Sequence, residues 1–332
     1  MRKNADIALV SEMLETANVI RNFDFSRTAA LAAEIRKAGR VFMTGEGSSR
    51  ILPAHNFIST AMGLGVDLAT ATEGSYQAMD YDLAAYVVLA ASNSGKTKET
   101  LTLVRKLNAL QHGRVFGVTA AAGTPLDQET RDCIVLSCGW EKAVAATKSV
   151  VEQALVYQSI LAHLVPCRWE QDKIKAAVLA ESVMSADVPP AIVDKLAAAG
   201  TIFLSGRNNG VAEELALKTN EIVRKPSRYL EGTLALHGIE EIMTARDVVV
   251  FLDPPETEFA MMEKIFIQNI GATVVVLGPK ATPFPTIFTP QLDGYSNVLA
   301  LMAGWNLLAE TGLKLGFDLD KPARARKVGN AL

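Results

Sequence analysis

Short apolar, β-branched runs alternate with longer helical stretches along this chain, and the alternation occurs twice. In the first half the runs are RVFMTG (40–45), VDLATA (66–71), YVVLAA (86–91), RVFGVTA (114–120) and CIVLSC (133–138). Helical stretches such as SRILPAHNFISTAMG and TKETLTLVRKLNAL separate them. Continuous apolar strands divided by helices predict a parallel sheet with helices on both faces. KAGRVFMTGEG (37–47) then finds a partner in AAGTIFLSGRN (198–208), and VVVFLD (248–253) and TVVVLG (273–278) are again split by a helical stretch, TEFAMMEKIFIQNIG. The reading is an α/β chain made of two copies of one unit. Residues 1–165, with leading helices, form the first and residues 166–332 the second, joined through a mostly helical stretch from about 142 to 195. With 332 residues, 49% of them hydrophobic, each half can bury a core of its own.

Composition narrows the function. A net charge of −3 with dispersed charges leaves no basic footprint for nucleic acid. No run of about eighteen apolar residues suggests a membrane span. The first twenty residues read as an amphipathic helix carrying Asp6, Glu12 and Glu15 rather than as a signal peptide. Cys133, Cys138 and Cys167 are odd in number and match no zinc spacing, so neither a disulfide framework nor a metal site is expected, and a reducing cytoplasm is the expected location.

Two loops carry candidate chemistry. ASNSGKT (91–97) follows an apolar strand and opens a helix, at the carboxyl end of the strand where open parallel sheets bind ligands. Free N–H groups at a helix start favour an anion, and Ser92, Ser94 and Thr97 can add donors, with Gly95 permitting close backbone approach. The alternative is an ordinary Ser/Thr helix cap. GEGSSR (45–50) repeats the layout after the first strand, with Ser48 and Ser49 opening the next helix, and the pair of loops favours an anion site. Neither loop has the P-loop or GxGxxG spacing, so no nucleotide cofactor is expected.

Taken together, GEGSSR, ASNSGKT and EKAVAATKS (141–149) resemble the signature segments of the sugar isomerase (SIS) family. The tandem repeat resembles the isomerase half of glutamine-dependent glucosamine-6-phosphate synthases. The resemblance implies that Ser49, Ser92, Ser94 and Thr97 hold the phosphate of a sugar 6-phosphate, that Asn93 touches the sugar, and that Val144 and Ala146 fall in a segment lining the same pocket. In the second half, Lys218 and Glu221 are three residues apart and His237 lies sixteen beyond the glutamate. This spacing resembles the synthase pattern, in which the glutamate moves a proton between C1 and C2 while histidine and lysine assist ring opening. The tail DLDKPARARKVGNAL places Lys327 on a family lysine that closes over the open-chain sugar. The bland alternatives are an i,i+4 surface pair of Glu214 with Lys218, a solvated His237 and a solvated basic tail.

These residue types suit isomerisation. A carboxylate has two oxygens and can take a proton from one carbon and return it to its neighbour, the role of Glu221. Ring opening needs an acid and a base, for which His237 and Lys218 are the candidates. A cation near the carbonyl would stabilise the enediolate or form a Schiff base, and Lys327 is that candidate.

Departures from the family pattern concern the substrate. The family reads G-E-F-x-H-G-P around the histidine, whereas this chain reads Thr233-Leu-Ala-Leu-His237-Gly-Ile, and Lys96 and Glu46 also differ. No glutaminase segment is expected to feed ammonia. EKAVAATKS and the DKPA tail look closer to stand-alone glucosamine-6-phosphate deaminases and sugar-amine deglycases. The expectation is a cytoplasmic homodimer, with His237 supplied in trans, that couples aldose–ketose isomerisation of an amino-sugar 6-phosphate to amine release. The alternatives are a simple isomerase of a hexose 6-phosphate or 6-sulfonate, and a non-catalytic sugar-phosphate sensor.

Overall fold

The computed structural model describes residues 4–326. They divide into two compact units. The first comprises Asn18–Lys142 and Ala146–Ile174, together with residues 325–326, and the second residues 4–17, Ala143–Ala145 and Lys175–Arg324. The leading helix Ala8–Asn22 thus groups with the second unit through Ala17.

In the first unit five parallel strands form one sheet: β1 (Arg40–Gly45), β2 (Ala69–Gly74), β3 (Val87–Ala91), β4 (Val115–Thr119) and β5 (Asp132–Val135), in the order β2-β1-β3-β4-β5. The second unit holds β6 (Ile202–Gly206), β7 (Ser227–Glu231), β8 (Val248–Leu252), β9 (Thr273–Gly278) and β10 (Thr286–Phe288), also all parallel, in the order β10-β9-β8-β6-β7. Read from its other edge, the second sheet repeats the order of the first. In both, the chain goes first to one side of the opening strand and then to the other. The crevice between β1 and β3, and that between β6 and β8, are therefore the two switch points where such sheets receive ligands.

Burial explains which strands the apolar runs mark. Every residue of β3, β4, β6 and β8 is buried, and each opens on at least three apolar residues or glycine in a row, with Thr119 and Ser205 the polar residues among them. Edge strands carry less of that signal. In β7 only Leu230 is fully buried, β10 has three residues, and neither shows an apolar run. The run expected over 66–71 forms β2 at Ala69–Gly74, another half-exposed edge. The helical stretch between β8 and β9 is a single α-turn, Phe259–Met262, continued by a π-helix over Glu263–Ile270. No single helix among the described residues is long and apolar enough to cross a membrane.

Candidate active site

The first switch point is built by glycine contacts. Gly45 ends β1 opposite Ala91 of β3, and a Cβ on Gly45 would lie 2.7 Å from the Ala91 carbonyl and 3.2 Å from that of Ser49. Only a glycine lets the GEGSSR loop lie this close to the strand that delivers Ser92. Gly95 is the second such position. Its φ is +62°, and a Cβ there would fall 2.2 Å from the Thr124 hydroxyl, so the ASNSGKT turn both needs the left-handed region and fills its space.

Hydroxyls converge inside that turn. Buried Ser92 Oγ lies 2.7 Å from Thr97 Oγ1 and 3.4 Å from Ser94 Oγ. The Lys96 N–H donates to Ser94 Oγ and the Thr97 N–H to Ser92 Oγ. The helix Lys98–Ala109 begins at Thr97, whose side chain makes no capping hydrogen bond. The cap alternative therefore does not describe Thr97: its hydroxyl faces Ser92 rather than the helix end. Buried Leu101, Val104 and Leu107 anchor the helix in a cluster with Phe42, Val88 and Val115. Asn93 is fixed through its carbonyl, which accepts from the Ala120 N–H and the Thr119 hydroxyl, and its buried Oδ1 has no hydrogen-bond partner among the described residues. Ser48 and Ser49 form a 3-10 turn, Gly47–Ser49, one loop over, and the Gln153 amide donates to the Ser49 carbonyl.

Glu46, just before those serines, accepts from the Ser75 N–H at 2.8 Å. Its side chain is open to solvent over much of its surface, yet its carboxyl end is screened enough that desolvation raises its pKa despite the Ser75 hydrogen bond. The EKAVAATKS segment is pinned by buried Glu141, which accepts from the Thr147 N–H and from the Thr147 and Ser149 hydroxyls. Ala146 belongs to the first unit and Val144 to the second, and both are partly exposed.

In the second unit the helix Val211–Lys218 runs into a π-turn, Thr219–Val223, and Glu221 sits in that turn. Such single π-turns often accompany functional positions. Lys218 Nζ lies 2.7 Å from Glu221 Oε2 and 3.2 Å from Glu214 Oε1. The side chains of Lys218 and Glu214 are fully buried, whereas that of Glu221 is 26% exposed. One ammonium thus bridges two carboxylates, of which only Glu221 meets solvent. Burial works to deprotonate Lys218, but Glu221 and Glu214 outweigh it and hold its pKa above the ordinary lysine value.

The surface-pair alternative for Glu214 and Lys218 is overturned, because neither side chain reaches water. Glu214 is the functional candidate that motif reading passed over. The signal was available: Val211, Glu214, Leu215, Lys218 and Ile222 share one helical face, and its apolar members mark it as buried. His237 ends a 3-10 turn, Leu234–Leu236, with its ring exposed and no side-chain hydrogen bond to Lys218 or Glu221. The structure therefore joins Lys218 to Glu221 but not to His237, and Lys327 lies outside the described residues.

Residues 34–163 match the family model of the SIS domain. They are a SIS domain. Among curated proteins, a glutamine–fructose-6-phosphate aminotransferase (isomerizing) of Aeropyrum pernix is 28% identical over 334 aligned positions, covering 91% of this chain and 52% of that one. The chain thus spans about half the length of the relative. Among solved structures, the tagatose-6-phosphate ketose/aldose isomerase of Escherichia coli superposes with a TM-score of 0.74 at 17% identity, covering 96% of this chain and 95% of that one. The glucosamine-6-phosphate deaminase of Thermotoga maritima gives 0.71 at 17% identity, covering 96% and 97%. At such identities the likeness is one of fold, extending over both units of the chain.

Proposed function

We propose that the chain is an aldose–ketose isomerase of sugar 6-phosphates, that its substrate is an amino-sugar 6-phosphate, and that the nitrogen leaves in the same reaction. In this reading the second unit is a second SIS domain. The observation that carries the proposal is the carboxylate of Glu221, solvent-accessible and held against a buried ammonium that is itself held by Glu214. The arrangement orients the Glu221 carboxylate while leaving it open to a ligand, as a base shuttling a proton between adjacent carbons must be. Lys218, buried and protonated, serves by positioning Glu221.

The hydroxyl trio of Ser92, Ser94 and Thr97, with Ser48 and Ser49 in the neighbouring loop, takes the phosphate, and a sulfonate would satisfy the same donors. Asn93, Val144 and Ala146 contact the sugar, and His237, supplied in trans within a homodimer, assists ring opening with Lys327 near the carbonyl. Glu221 then removes the C2 proton of the open-chain 2-amino aldose and delivers it to C1. The aldehyde becomes an alcohol and the C2 amine becomes an imine. Water adds to the imine carbon, the C–N bond breaks, and ammonia or an amine leaves from a ketose 6-phosphate.

The test is a product assay. The protein is incubated with glucosamine 6-phosphate, with 6-phosphorylated sugar–amino acid adducts, and with amine-free hexose 6-phosphates and 6-sulfonates, following amine release alongside ketose formation. Release from an amino substrate that disappears in Glu221→Gln supports the proposal. Interconversion of the amine-free sugars alone replaces it with a simple isomerase, and binding without turnover replaces both with a sensor. Mixing Glu221→Gln with His237→Ala protein restores activity if His237 acts across a dimer; no recovery after verified subunit exchange removes that part.

A further inference from the structure

The second switch point, between β6 and β8, carries different chemistry from the first. Three cavities open at the carboxyl ends of β6, β8 and β9, and Arg207 and Asp253 line all of them. The largest, about 200 Å³, is closed by two cations, Arg207 and Lys280, two carboxylates, Asp253 and Glu256, and an apolar wall of Pro254, Pro255, Phe259 and Val276. The charges are paired across it, Arg207 with Asp253 at 2.8 Å and Lys280 with Glu256 at 2.9 Å. Asp253 has a φ of +45°, a strained setting for a non-glycine residue that tends to persist at ligand sites.

We propose that this crevice binds a small zwitterion, specifically a free α-amino acid with a small apolar side chain. The carboxylate is taken by the planar guanidinium of Arg207 and by Lys280, and the ammonium by Asp253 and Glu256. The side chain rests on Phe259, Val276 and the two prolines. The existing ion pairs do not oppose this. The Arg207 and Asp253 side chains are 62% and 51% exposed, and those of Lys280 and Glu256 75% and 69%, so both pairs are weakly held and exchange with solvent charges readily. A zwitterion shares its one carboxylate between the two cations and its one ammonium between the two carboxylates, so the crevice keeps zero net charge. The volume, below the roughly 300–1,000 Å³ usual for drug-sized ligands, limits the ligand to a small one.

Calorimetric titration of the whole chain with valine, N-acetylvaline and valinamide tests the site without reference to turnover, so the outcome is independent of the isomerase proposal. Valine is expected to bind saturably, with each blocked derivative weakened roughly tenfold or more, because each lacks one charge. Arg207→Gln, Asp253→Asn and Lys280→Gln should each weaken valine by a similar factor while the unfolding midpoint holds, since the altered groups lie at the surface. No saturable binding of valine, equal binding of its blocked forms, or binding untouched by all three substitutions would show the pairs to be surface salt bridges and nothing more.

Discussion

The two switch points share a topology and a glycine that ends the first strand, Gly45 and Gly206, and differ in the side chains their loops present. After β1 and β3 the chain presents hydroxyls and amides, Ser48, Ser49, Ser92, Ser94 and Thr97, on backbone that glycines bring close. After β6 and β8 it presents Arg207 and Asp253 as an exposed ion pair beside a second pair. Neutral donors on tight turns suit an oxyanion that must be held without a fixed counter-charge, whereas matched opposite charges suit a ligand carrying both signs. Sheet order places a site, and the loop residues decide what it takes. The second unit also carries a buried ion pair away from the crevice, Glu214 with Lys218, on the helix after β6.

The comparison breaks most sharply at Glu221. Glu221→Gln is expected to lower turnover by roughly two to four orders of magnitude, the cost of losing a general base, while phosphate affinity stays. Near-normal turnover in folded protein would leave the second unit without catalytic chemistry. Next in size, Lys218→Met strands two carboxylates against an apolar side chain and should cost about 3–5 kcal/mol in a denaturant titration. Adding Glu214→Gln should recover part of that loss; if it does not, the cluster is not held by charge.

In the first unit, Ser92→Ala with Thr97→Ala should weaken substrate and inorganic phosphate together by roughly ten- to a hundredfold, the range for lost hydrogen bonds to a charged group. Unchanged phosphate affinity would return these hydroxyls to a purely local role and erase the contrast between the crevices. The smallest effect concerns pH. Lys218 has a folded pKa above its ordinary 10.5, so it binds a proton more tightly folded than unfolded. Its stabilisation is complete below about 10.5 and is lost as the pH rises through the higher folded value. Unfolding midpoints should therefore show no Lys218 contribution to pH dependence in neutral solution and a decline only in strong alkali, absent in Lys218→Met.

Much of this was legible in the chain because the central strands are buried on both faces and are therefore mostly apolar. TVVVLG and RVFMTG coincide with β9 and β1 residue for residue. β7 and β10 escaped notice because edge strands bury too little to leave a run. The ASNSGKT loop could be found since a turn needing φ > 0 demands glycine at a fixed offset from its hydroxyls. Sequence spacing put Lys218 and Glu221 on one helical side, and the apolar Val211, Leu215 and Ile222 marked the face that Glu214 shares with Lys218 as buried, but the i,i+4 acid–base pair taken alone reads the same exposed or buried.

By itself, then, the sequence determined the local matters: the α/β alternation and its repetition, the tight turns, and the residue types of a proton-transferring, anion-holding chain. These follow from periodicity and backbone sterics, which act over a few residues. Tertiary structure decided what depends on distance and dielectric. It set the strand order that creates two crevices, turned Thr97 away from its helix end toward Ser92, and excluded water from Glu214 and Lys218. That exclusion turns a commonplace pair into a fixed charge behind Glu221, since the strength of an ion pair is set by the medium around it and no spacing of letters records that medium.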